Sequence, residues 1–283
     1  MQKIKFINSK GESIDIGYQF PFFLNKIEGL GDVESDITSQ KSPYQDGSTF
    51  ISSVLKERPI SIEVAVLKRN PEYKQILSRV FNPKLGEGTL VYENDNGKWE
   101  VKAISEHVPV FPDDRPRIHQ IALIDLFCPN PYWLTEENVD QLVVWEGGLT
   151  FPLQLPTTFA SLSASKSKLL VNDGDVETPI LITFNGPATA PITVKNVTAG
   201  KYIQINRSLA VGEKIEINTA FGQKKVTKVL ADGTRENATH YIKIPGSEFF
   251  NLEVGNNLIE YSTGSDYEQA GVSIQWRNRF LAV

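Results

Sequence analysis

Cys128-Pro129-Asn130-Pro131-Tyr132-Trp133-Leu134 ends one kind of sequence and begins another. Ahead of it, residues 118–127 form a long apolar run that reads as a buried strand. Two prolines within three residues then remove backbone donors and push their predecessors out of helical space, so regular pairing must stop. Tyr132 and Trp133 supply the bulk to anchor that corner against a core. Cys128, Pro129, Pro131, Tyr132 and Trp133 are therefore read as a domain exit without chemistry of its own. The 283-residue chain becomes two domains, each long enough for a core.

Composition narrows the class. The charged and apolar fractions are those of an ordinary globular chain. No window approaches the ~20 apolar residues that span a bilayer. The opening Met1-Gln2-Lys3-Ile4-Lys5-Phe6 alternates like a strand and lacks an export-signal core, so the expectation is synthesis in a cytoplasm and no membrane insertion. Cys128 is the single cysteine, which excludes an intrachain disulfide. Asn196-Val197-Thr198, Asn206-Arg207-Ser208 and Asn237-Ala238-Thr239 fit the glycosylation pattern and are read as turn chemistry. Charge is uneven: residues 1–144 hold 16 Lys/Arg against 21 Asp/Glu, and the remainder 13 against 13, so the net −5 sits in the first half. Such a half is a poor nucleic-acid binder and a suitable wall past which nucleic acid slides.

Most segments alternate with period two. Ile60, Ile62, Val64 and Val66 face one way with Ser61 and Glu63 opposite, and Trp99, Val101 and Ala103 repeat the pattern. Asn94-Asp95-Asn96-Gly97 predicts a hairpin turn with two positive φ angles. One helix is predicted: Asn70 caps, Pro71 opens, Tyr73, Ile76, Leu77 and Val80 form the apolar stripe, and Asn82-Pro83 stops it. Its expected place is on a sheet, plugging the first core. Residues 134–159 wind through Pro152 and Pro156, with Trp145, Leu149 and Phe151 able to pack locally. Beyond them short strands recur near 169–171, 180–184, 192–194, 202–205, 215–217, 226–229, 241–244, 258–261 and 272–276, separated by turn signals. Short regular strands without helix argue for an antiparallel sandwich.

Residues 28–57 differ. Gly, Ser, Asp and Pro outnumber scattered apolar residues over a length beyond that of a normal connection. The stretch is either a floppy surface loop or an arm that orders against another subunit.

No catalytic pattern emerges. His107, His119 and His240 are scattered and lack partners at metal-ligand spacing. Asp113-Asp114-Arg115-Pro116-Arg117 reads as a solvated, self-paired loop, and Gly86-Glu87-Gly88 as a turn. No Gly-x-Ser-x-Gly elbow or phosphate loop occurs. The expectation is a non-enzyme without metal or cofactor.

Features in order then carry a resemblance. Asp46-Gly47 precedes Arg58-Pro59-Ile60-Ser61-Ile62, the single helix, Asn82-Pro83-Lys84-Leu85-Gly86 and the closing Pro129-Asn130-Pro131-Tyr132-Trp133. Later come Asn172-Asp173-Gly174-Asp175-Val176-Glu177-Thr178-Pro179, Phe184-Asn185-Gly186-Pro187, Gly200-Lys201-Tyr202-Ile203, Phe249-Phe250-Asn251-Leu252, Gly255-Asn256-Asn257 and Val272-Ser273-Ile274-Gln275-Trp276-Arg277. Over nearly its whole length the chain resembles the siphophage distal tail protein (Dit) family. That resemblance implies a mainly β chain. Residues 1–134 would form an N-terminal β-sandwich or split-barrel ring domain with one α-helix, residues 135–160 a connector, and residues 161–283 a galectin-like antiparallel β-sandwich.

It also implies a structural role at the virion tail tip, or baseplate. A hexameric ring would join the tail tube protein to a tail-tip protein and a receptor-binding protein, with DNA passing through unbound. Residues 28–57 then become a candidate inter-subunit arm, with Asp36, Tyr44, Asp46 and Phe50 at its contacts. Sugar binding is not expected, since no His-x-Asn-Pro-Arg run occurs and Trp276 alternates with core residues. The competing reading is a carbohydrate-binding module contacting host cell-wall glycans.

Overall fold

The structure is a computed structural model and describes residues 2–67, 70–112, 119–142, 145–146, 161–162, 167–264 and 271–283. They form two compact units: Met1–Glu136 together with Phe280–Val283, and Glu137–Arg279. The last four residues thus return to the first unit, where the sequence alone suggested a second domain running to its end.

In the first unit, alternation produces β1 (Lys3–Ile7), β2 (Ser13–Ile16), β3 (Phe22–Glu28), β4 (Ser35–Gln40), β5 (Thr49–Leu55) and β6 (Arg58–Leu67). After α1 (Pro71–Val80) follow β7 (Gly88–Asn94), β8 (Gly97–Ser105), β9 (His119–Cys128) and the short β10 (Trp133–Leu134). The main sheet runs β2-β1-β7-β8-β9-β6-β3. Its ends approach each other: the Gly17 N–H donates to the Phe22 carbonyl at 3.2 Å, and the Leu24 N–H to the Gly17 carbonyl at 2.7 Å. The sheet therefore curls into a split barrel.

Its inside is the face the alternation predicts. Ile60, Ile62, Val64 and Val66 on β6 meet Ala122, Ile124, Leu126 and Cys128 on β9. The strand predicted at 118–127 is present from His119 onward, but it is buried on one face only, because Leu123 on the other is exposed. α1 closes the barrel. Asn70 Oδ1 accepts the Glu72 N–H at 3.0 Å, Leu77 and Val80 turn inward, and the following Phe81 stacks on Phe6 with centroids 4.6 Å apart. The hairpin between β7 and β8 is present with a different turn. Asp95 and Asn96 keep negative φ, and Asn94 Oδ1 instead accepts the Asn96 N–H at 2.8 Å, an Asx turn.

The second unit opens with β11 (Asn138–Leu142), β12 (Trp145–Glu146), β13 (Ser161–Leu162), β14 (Ser167–Asn172), β15 (Ile180–Asn185) and β16 (Ile192–Asn196). It continues with β17 (Lys201–Ile205), β18 (Lys214–Asn218), β19 (Lys225–Val229), β20 (Arg235–Asn237), β21 (Gly255–Ser262) and β22 (Gly271–Trp276). A six-stranded sheet, β11-β22-β15-β18-β19-β20, and a four-stranded sheet, β14-β21-β16-β17, share one apolar core. This is the expected antiparallel sandwich. The strand expected at 241–244 is absent: Thr239–Tyr241 forms a 3-10 turn, and Ile242 reaches Ile205 through a single bridge. Two of the three sequon asparagines do turn chemistry. Asn196 Oδ1 accepts the Ala199 N–H at 3.1 Å and Asn237 Oδ1 the Thr239 N–H at 2.9 Å.

Candidate functional site

Residues 28–57 are not a shapeless loop. β4 and β5 pair antiparallel as a hairpin that forms a sheet of its own, outside the barrel. At its tip Tyr44 takes a left-handed φ of +63° and is fully exposed. The register decides which face is apolar. Ile37 lies opposite Ser53 and Ser39 opposite Phe50, with Ile51 extruded as a bulge between. Unbroken alternation would send Phe50 to the face opposite Ile37; the extra residue at Ile51 brings it onto the face of Ile37. That face carries Ile37, Phe50 and Leu55 among Ser35, Ser39 and Ser53, with Ile37 and Phe50 exposed by 66% and 64%. The other carries Asp36, Thr38, Gln40, Thr49, Ser52 and Val54. Of the predicted arm residues, Phe50 lies on the face of Ile37, Tyr44 and Asp46 lie at the tip, and Asp36 is an ion-pair partner of Lys56 at 3.4 Å near the base.

The hairpin leaves the barrel through Gly29-Leu30-Gly31, and all three carbonyls of this root are taken by side chains. Arg58 Nη1 donates to Gly29 and Gly31, both at 2.7 Å, and the Trp133 indole N–H donates to Leu30 at 3.0 Å. Arg58 Nε reaches the Pro131 carbonyl at 2.8 Å and Nη2 that of Leu281 at 2.6 Å. Arg58 and Trp133 are fully buried, with the guanidinium 5.7 Å from the indole centroid. No carboxylate among the described residues pairs with this cation, and burial lowers its pKa. Cys128 lies in the same core, and burial pushes its thiol up to about 12, so it stays neutral and unreactive. The predicted junction residues therefore divide. Cys128 and Trp133 sit in the core, Pro131 supplies a carbonyl to Arg58, Tyr132 is half-buried and Pro129 is exposed.

Arg58 was missed as a functional residue, although the pattern contains it. It continues the inward parity of Ile60, Ile62, Val64 and Val66, and a charged residue on the buried face of a strand must find partners.

Among the described residues the polar clusters do not assemble catalytic geometry. Asp125 accepts from Ser61 Oγ at 2.6 Å and contacts His107 Nε2 at 3.0 Å, so the carboxylate stands between hydroxyl and imidazole. A catalytic triad needs the imidazole at the hydroxyl and the carboxylate behind it, and here that order is reversed. Among the described residues no group of three or more His, Cys, Asp or Glu is placed to hold a metal. A cleft of about 620 Å³ opens beside Lys3, Asp15, Tyr18, Phe20, Glu93 and Asp95. Residues 113–117 and the side chain of His119 lie outside the described residues. In the second unit His240 packs on Tyr241, and Arg207 lies 5.5 Å from the Tyr241 ring. Trp276 is buried and donates to Asn278 at 3.1 Å, a core role.

Two family profiles match the chain. Residues 9–128 match the phage tail protein RIFT-related domain, and residues 173–280 match the siphovirus-type tail component, C-terminal domain. The chain belongs to the siphophage distal tail protein family. The protein is thus a structural component of a phage tail. Among solved structures it is similar to Dit of phage SPP1, described as a paradigm of the hub adsorption apparatus in phages infecting Gram-positive bacteria. That match has a TM-score of 0.68 at 9% identity and covers 98% of this chain and 99% of the other. Chains of the phage P2 baseplate in its activated conformation, with calcium and with strontium, match at TM-scores of 0.55 and 0.56 with 10% and 11% identity over the full length of both chains. At such identities the likeness is one of fold. The comparison with curated protein sequences gives no match.

Proposed function

We propose that this protein is a distal tail hub. Six copies close a ring that joins the tail tube to the tail-tip and receptor-binding apparatus, and DNA passes through the opening. A ring is built from heterologous contacts, one patch of each subunit on a different patch of the next. The β4–β5 hairpin carries this reading. An isolated two-stranded hairpin is marginal in water, and this one presents the exposed Ile37 and Phe50 on one face. Laid on a neighbouring subunit, each of these side chains contributes roughly 1–3 kcal/mol of apolar burial. The acidic surplus of the first half fits a channel wall that repels DNA.

Light scattering on the size-fractionated protein, alone and with its tail tube protein, tests the ring. Six-fold mass is expected for the native chain and for Val54→Asp, which alters the face opposite Ile37 and Phe50. Ile37→Asp and Phe50→Asp are expected to remain monomeric. A strict monomer under all conditions that sediments with host cell walls would instead favour the carbohydrate-module reading.

A further inference from the structure

Among the buried side chains, Arg58 stands out. A cation that is 1% exposed is normally matched by a carboxylate, because burying an unpaired charge is costly. Here four of its five N–H groups end on backbone carbonyls from three distant stretches: Gly29 and Gly31, Pro131, and Leu281. A planar fork with five donors in fixed directions can serve several acceptors at once, and a single ammonium cannot. The core alone does not call for this, since an apolar residue would continue the inward row of β6. What the guanidinium adds is direction. Three consecutive root carbonyls are claimed by two rigid planar groups, Arg58 and Trp133, which themselves lie against each other. Lys56 adds a second tie just outside: its N–H donates to the Glu34 carbonyl at 2.9 Å and its ammonium pairs with Glu34 at 3.1 Å.

We propose that Arg58 is the positioning residue of the arm: by clamping the Gly29–Gly31 root to Pro131 and to the returning C-terminal residue Leu281, it fixes the direction in which the β4–β5 hairpin leaves the barrel. The two strands of the hairpin pair with each other and with no strand of the barrel, so its aim depends on this root. The clamp also explains why the final residues of the chain belong to the first unit: Leu281 supplies one of the four acceptors. The role in assembly rests on the ring reading above, whereas the clamp itself does not.

The full chain carrying Arg58→Lys or Arg58→Met, and the chain truncated after Phe280, separate the two. Hydrogen exchange on dispersed subunits reads the clamp directly. Amides of residues 35–55 should exchange at least tenfold faster in both Arg58 variants, with those of β7 and β8 little changed, and the truncated chain should shift the same way by less. Trypsin should cut at Lys41 and Lys56 correspondingly faster. Where the native chain forms rings, the variants should need at least tenfold more protein to do so while retaining native far-ultraviolet dichroism. Unchanged exchange and cleavage in the hairpin would overturn the clamp whether or not rings form. If Arg58→Met loses the barrel as a whole, the truncated chain decides, and native hairpin protection there counts against the proposal. Native ring formation by a folded Arg58→Met chain with a loosened hairpin would remove the assembly role.

Discussion

Gly29 illustrates how little freedom the arm root has. Its φ is +88°, and a Cβ built on it would stand 2.2 Å from the Pro59 carbonyl oxygen, a backbone atom that cannot step aside. Gly29→Ala therefore combines left-handed strain with a backbone clash, and should cost the first unit at least about 2 kcal/mol. Hydrogen exchange of the β6 and β9 amides as a function of urea is the measurement. A second residue-scale prediction concerns pH. The Glu213 carboxylate accepts from Lys228 Nζ at 2.6 Å and from the Ala210 N–H at 3.0 Å, and these bonds, the lysine first, hold its pKa below the usual carboxylate value. A carboxyl depressed in the folded state stabilises it above the unfolded pKa, near 4.3, and that contribution disappears as pH falls through the folded value. Lys228 is then left buried without its partner. The urea midpoint of the second unit should fall on acidification from about pH 5, and Glu213→Gln should flatten that dependence while lowering the midpoint at pH 7.

At the scale of elements, what could be read in advance was what repeats. α1 was legible because cap, proline and apolar stripe all sit inside one short window, and the structure uses each of them. Asn70→Ala should accordingly cost about 1 kcal/mol of first-unit stability, with the loss recovered by Asn70→Asp; thermal melts of the two variants check it. The strands of both sheets were legible for the same reason, since period two survives in any window. β20 was not, because Arg235, Glu236 and Asn237 are all exposed and edge pairing leaves no apolar trace. The bulge at Ile51 was not legible either. It depends on register between two strands, and only that register puts Phe50 on the face of Ile37. Tyr44 and Asp46 sit in the Ser-, Pro- and Gly-containing run that marks the tip of the arm and not the face of Ile37 and Phe50. The root escaped for a different reason: its acceptors are backbone carbonyls, which any residue type provides, drawn from positions as far apart as Gly29 and Leu281.

At the scale of the molecule, two apolar cores divide the work. One is built around Ile60, Ile124 and Trp133, the other around Ile182, Ile217 and Ile274. The first carries the arm, and the segment in which it lies holds the whole acidic surplus. The second carries its own polar ties, such as Asn257, whose side chain bonds Glu253, Gly255 and Asn196. If the arm-bearing unit closes a ring as proposed above, cores that fail separately would leave the second unit folded when the first is damaged. Core truncations test this. Ile124→Ala and Ile217→Ala each remove a fully buried side chain, at a cost of about 2–5 kcal/mol. For units of this size that lowers a melting transition by on the order of 10 °C. Scanning calorimetry should show Ile124→Ala moving one component and Ile217→Ala the other, with hydrogen exchange assigning each component to its unit. A single transition displaced equally by both variants would mean that the two cores unfold as one cooperative body, and that the arm-bearing unit cannot loosen without taking the sandwich with it.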